Sequence, residues 1–75
     1  MEYKLSELVE AKRQINSTLH KLRETVKTFE AKENPIRYKS QITLAKRRIA
    51  AFEISVALIE REISTLNGED QLLRK

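Results

Sequence analysis

His20 is the only histidine in the chain, and no cysteine accompanies it. A metal site built on a helix needs a second strong ligand about one turn away. The residues at that spacing are Asn16 and Glu24, so His20 reads as a partly exposed helix residue beside Leu19. Acid–base chemistry would fall to Glu53, Glu60 and Glu62, which read as acids on a solvated helix edge. Without cysteine there is no thiolate nucleophile, no cysteine metal site and no disulfide framework. No Ser–His–Asp set, Gly-rich phosphate loop or HExxH spacing occurs. These residues predict a protein that is not an enzyme, with no catalytic residue, no metal site and no cofactor.

Basic chemistry is more abundant. The chain has a formal net charge of +4 and a pI near 9.6. Residues 21–48 hold nine bases against three acids, and the rest hold six against eight. Arg37, Lys39, Lys46, Arg47 and Arg48 form the strongest candidate for a nucleic-acid contact. Three consecutive helical residues point in three directions, however, so Lys46-Arg47-Arg48 does not make one stripe. No helix-turn-helix turn, zinc finger or basic-region zipper is present. Nucleic-acid binding is therefore the alternative reading, and the bases read first as solubilising flanks of an apolar helix.

The elements that position these residues follow from periodicity. The stretch from Ile42 to Leu66 carries two apolar stripes. The first runs Ile42, Ala45, Ile49, Phe52, Val56, Ile59, Ile63, Leu66, stepping three and four, with β-branched residues at every a position of a heptad seam. The second, on the far side, contains Leu44, Ala51, Ile54 and Leu58, with Ala50 and Ala57 beside it. One stripe is enough to seat a surface helix on a core. A second one predicts a further partner, and contiguous apolar patches on small proteins mark interfaces. Leu44, Ala50, Ala51, Ile54, Ala57 and Leu58 are the candidate partner-binding residues, with Arg47 and Arg61 at the rim.

An earlier segment carries Leu5, Leu8, Ile15, Leu19, Leu22, Val26 and Phe29 at helical spacing, opposite a polar face of Glu7, Glu10, Gln14, Ser17, Lys21, Glu24 and Thr28. It reads as a one-sided helix. Lys12 fills the one polar slot of its seam, from which its amine can reach Glu53 or Glu60. The break falls at Glu33-Asn34-Pro35, with Asn34 as N-cap and Pro35 preorganised for the first helical turn. Asn67-Gly68 reads as a C-cap with glycine at positive φ.

The expected organisation is one domain over residues 1–75: helix one over about 2–32, a turn at 33–35, helix two over about 35–67, and a tail at 68–75. Two helices of roughly 45 Å joined by a short turn give an all-α, coiled-coil-like antiparallel hairpin. Folding the seams together brings Phe29 near Tyr38. A dimer of such hairpins would form a four-helix bundle.

With Asn34-Pro35-Ile36-Arg37-Tyr38 opening a helix that continues Arg48-Ile49-Ala50-Ala51-Phe52-Glu53-Ile54-Ser55-Val56-Ala57-Leu58-Ile59, the chain resembles the small helical-hairpin co-chaperones of type III secretion systems. That resemblance covers most of the chain. It implies a cytoplasmic, non-enzymatic protein that pairs with a tetratricopeptide-like helical-repeat chaperone and helps keep a secreted subunit, such as a needle protein, from polymerising early. The residues themselves leave the partner open between another helical protein and a second copy, as a homodimer or tetramer. A homo-oligomeric coiled-coil adaptor without a client remains a third reading. No apolar run approaches the ~20 residues of a membrane span, and the first ten residues lack the basic and apolar regions of a signal peptide. Both features predict a cytoplasmic location, or export by a route that leaves no such mark.

Overall fold

The protein is an all-α, antiparallel two-helix hairpin, seen in a computed structural model that describes residues 3–73, with side chains described as far as residue 68. Helix α1 spans Leu5–Glu30 and helix α2 spans Lys39–Leu73, with a short 3-10 helix, Pro35–Tyr38, between them. The hairpin measures 58 × 23 × 15 Å.

Helix α1 begins where Lys4 is extended, at φ −74° and ψ 150°. The Glu7 carboxylate accepts a hydrogen bond from the Lys4 backbone N–H at 3.0 Å. This is the reaching-back half of a capping box, and it also places a negative charge on the positive end of the helix dipole. At the other end the Ala31 N–H still donates to the Lys27 carbonyl, at 3.0 Å. The chain then bends through residues 32–34, so α1 stops two residues short of the expected boundary. Pro35 disfavours helical backbone at the residue before it, and Asn34 lies at φ −131° and ψ 76°.

Asn34 precedes the 3-10 turn as expected, but its side chain makes no capping hydrogen bond. Its carbonyl instead accepts the Arg37 N–H at 3.1 Å. The tighter 3-10 winding at Pro35–Tyr38 swings Tyr38 onto Phe29, where the rings stack with centroids 4.9 Å apart. Regular α-helix begins only at Lys39.

Helix α2 does not end at Asn67-Gly68. It runs on to Leu73, and no glycine takes a positive φ. Gly68 is thus an interior helical glycine, tolerated at the modest cost glycine carries there. Nothing in the described residues around it demands a reversal of the chain.

The seams meet as the periodicity predicted. Leu8, Leu19 and Val26 of α1 and Ala45 and Val56 of α2 are buried. Ile15, Leu22, Phe29, Ile42, Ile49, Phe52, Ile59, Ile63 and Leu66 are half-buried along the same line. Among the described residues three ion pairs bridge the helices alongside it: Arg23–Glu53 at 2.9 Å, Lys46–Glu30 at 3.2 Å and Lys12–Glu60 at 3.9 Å. All are solvent-exposed, where such pairs contribute about 0–1 kcal/mol each, so the seam holds the hairpin and the pairs adjust its register.

Candidate partner-binding face

Helix α2 turns 100° per residue. With Ala45 and Val56 buried against α1, the residues half a turn away must face outward. Leu44 is 50% exposed, Ile54 62% and Leu58 55%. Ala50, Ala51 and Ala57 are exposed as well. All six residues singled out by the second stripe therefore lie on the free side of α2. From Leu44 to Leu58 the line spans about 21 Å at the 1.5 Å rise per residue.

The face has a repeating composition. Thr43, Ala50, Ala57 and Ser64 recur every seven residues along one edge, and Leu44, Ala51, Leu58 and Thr65 along the other. Between them, at the same period, come Arg47, Ile54 and Arg61. Arg47 and Arg61 thus stand on the midline of the stripe rather than at its rim. This follows from their seven-residue spacing to Ile54 and was legible in the sequence. Small residues at its centre lower the relief, so a second helix can approach closely there.

The basic residues are dispersed. Lys46 is turned to α1 and engaged by Glu30. Arg47 lies on the outer face, and Arg48 lies a further 100° around the helix. Arg37 and Lys39 sit at the hairpin tip, and among the described residues none of Arg37, Lys39, Arg47 and Arg48 makes an ion pair within the chain. Next to the tip, Pro35, Ile36, Lys39, Ile42, Thr43 and Lys46 line an open groove of about 470 Å³.

The residues weighed for catalysis are not brought together into one cluster. Glu53 and Glu60 are engaged by Arg23 and Lys12, and His20 is an exposed residue of α1. One carboxylate elsewhere is strongly perturbed. Glu10 accepts hydrogen bonds from the Arg13 guanidinium at 2.7 and 2.9 Å and from the Gln14 amide at 2.8 Å. Donation by Arg13 first, then by Gln14, lowers its pKa to about 2. This cluster is fully exposed on one face of α1.

Apolar surface beyond the outer stripe also appears. Leu5, expected in the seam, is 41% exposed, and Val9 one turn later is 51% exposed. Helix α1 is therefore not strictly one-sided near its start. The signal was a four-residue step from Leu5 to Val9, lying aside from the line through Leu8 and Leu19. Ile36, at the tip, is 81% exposed.

Fold and surface together define a class: a cysteine-free helical hairpin with one apolar seam closed and a second apolar face open. No protein-family model, no curated protein and no solved structure matches the chain. Among the described residues no helix is long and apolar enough to cross a membrane.

Proposed function

We propose that this protein is a non-enzymatic helical interaction module whose working surface is the outer face of α2. We further propose that it serves, in the cytoplasm, as a co-chaperone of the type III secretion kind. The observation that carries the first step is the line of Leu44, Ile54 and Leu58, each at least half exposed although each is a large apolar side chain. A partner helix laid along this line would bury it by helix-in-groove recognition, with anchors at helical spacing. The hairpin behind it supplies a rigid back plate, since α2 is fixed on its other side by the seam.

The second step draws on the hairpin's resemblance to secretion co-chaperones, together with that open face. In such a role the protein binds a helical-repeat chaperone, a secreted subunit, or both. It acts by mass action: covering an apolar helix face withdraws that face from self-assembly as long as the complex is populated.

The test is a pull-down of the tagged full chain from its native cells after nuclease treatment, followed by mass spectrometry. A small helical-repeat protein or a secreted helical subunit should be recovered with the wild-type chain. Ile54→Asp and Leu58→Asp should each weaken capture by about 30-fold or more, the scale of truncating a hot-spot residue, with helicity by circular dichroism unchanged. Normal capture by both variants would remove the outer face from the function.

One observation favours nucleic acid as the rival ligand, namely that Arg37, Lys39, Arg47 and Arg48 make no ion pair among the described residues. Binding of that kind would weaken steeply with salt as counterion release is suppressed, and it would be lost in Arg47→Ala and Arg48→Ala. The apolar reading expects little salt dependence.

A further inference from the structure

A folded monomer of 8.8 kDa is expected to expose about 4,800 Å² of surface. This chain exposes 6393 Å². Its radius of gyration, 17.2 Å, likewise exceeds the roughly 11 Å of a compact domain of this length. The surplus is about twice the ~800 Å² that each partner of a stable interface gives up. Among the described residues only five form the buried core, and no side chain is fully enclosed. A chain with so thin a core, and with Leu44, Ile54 and Leu58 each at least half exposed, gains from an assembly.

Charge selects the geometry. Lys46, Glu53 and Glu60 are engaged with α1; of the other charges up to residue 68, the first part of α2 carries Lys39, Arg47 and Arg48, and the later part Arg61 and Glu62. Two α2 helices side by side in parallel would set the basic segments against each other. An antiparallel pair sets each basic segment against one in which Arg61 and Glu62 offset each other, with Glu62 opposite Lys39. The seven-residue pattern then narrows the register. Centring the pair between Ala50 and Ala51 puts Leu44 against Leu58 of the second copy and Arg47 against its Ile54. Alanines fill the middle, where the axes come closest. Sliding the pair by one heptad, to centre on Ile54, would instead oppose Arg47 to Arg61 on the midline.

We infer that the outer face of α2 is occupied by a second copy of this chain, in an antiparallel dimer whose two-fold axis passes between Ala50 and Ala51. This rests on the reading of that face as a docking surface and names its occupant when no other helical protein is bound. The dimer is a layer of four helices with the two α2 helices at its centre. Arg47 lays its aliphatic stem on Ile54 of the second copy and keeps its guanidinium at the edge of the contact.

The absence of cysteine makes the test direct. Sedimentation equilibrium of the full chain should give twice the chain mass, and Leu58→Asp should weaken the dimer by at least about tenfold, because it buries a carboxylate against Leu44 without a partner. Circular dichroism should show that Leu58→Asp keeps its helices, as position 58 is free in the hairpin. Under mild oxidation Ala51→Cys should cross-link to itself. Leu44→Cys and Leu58→Cys should cross-link only when mixed, since like residues lie roughly 20 Å apart along the axis. A monomer at high micromolar concentration would overturn the inference, as would self-cross-linking of Leu44→Cys, which marks a parallel pair. If that monomer still captured a helical partner through Ile54 and Leu58, the docking face would stand and the second copy would not be its occupant. A dimer indifferent to Leu58→Asp would place the contact elsewhere and overturn the inference as well.

Discussion

Leu19 is the most enclosed side chain among the described residues, at 2% exposure, and it shows how little material separates this fold from unfolding. Leu19→Ala should cost about 2–5 kcal/mol, as for other buried leucines, a large part of the total stability of a small domain. Chemical denaturation should therefore show the variant partly or wholly unfolded at room temperature. Phe52 sits in the same seam but is only half-buried. Full burial would set a cost of ~3–5 kcal/mol for Phe52→Ala, and partial burial places it below the Leu19 variant in the same assay. At the opposite extreme of exposure stands Glu10. Its pKa lies near 2, below the ordinary 4.5, so the folded state favours its ionised form. The stabilisation is complete above the ordinary value and is lost as pH falls from about 4.5 through about 2. Carboxyl NMR titration should find Glu10 titrating far below the ordinary carboxylate range, and Arg13→Ala should return most of the shift. A Glu10 midpoint at the ordinary value would mean the Arg13 fork is not kept in solution.

At the scale of elements, the length of α2 is the sharpest test. An Asn-Gly pair after an apolar run is a strong local stop signal, because glycine readily takes the left-handed backbone that closes a helix. Here α2 passes through it. A Cβ added at Gly68 would meet nothing within 4 Å. Gly68→Ala should therefore raise stability by about 0.5–1 kcal/mol, the difference between glycine and alanine inside a helix. A lower melting temperature would instead show the residue at positive φ and the helix ending there. The start of α2 shows the same competition on a smaller scale. Asn34 and Pro35 do open the 3-10 turn that leads into α2, but α1 has already stopped at Glu30. The first turn winds as 3-10, however, and with that winding Tyr38 comes to stack on Phe29.

For the whole molecule, the controlling quantity is surface. Two helices can close only one seam, and α2 carries apolar residues on both sides. A dimer through the outer face makes stability depend on protein concentration by mass action. The melting temperature of the wild-type chain should rise with concentration, and that of Leu58→Asp should not. The same face cannot hold a second copy and another helix at once, so a helical client would have to separate the dimer before docking.

Periodicity is a property of neighbouring residues, and what it dictates could be read without the fold: two helices, a seam through Leu8, Leu19, Val26, Ala45 and Val56, a break at Asn34-Pro35, and an outer stripe from Leu44 to Leu58. The Phe29–Tyr38 contact was legible for the same reason, since a short turn brings the flanking residues together. Closure of the hairpin decided the rest. How far each seam position is enclosed depends on the separation of two helix axes, which left Phe52 half-covered. Lys12 had two acids within reach, and the packed register gave it Glu60 while Arg23 engaged Glu53. The fate of Gly68 turned on whether α2 had any need to stop, and only the path of the folded chain could answer that.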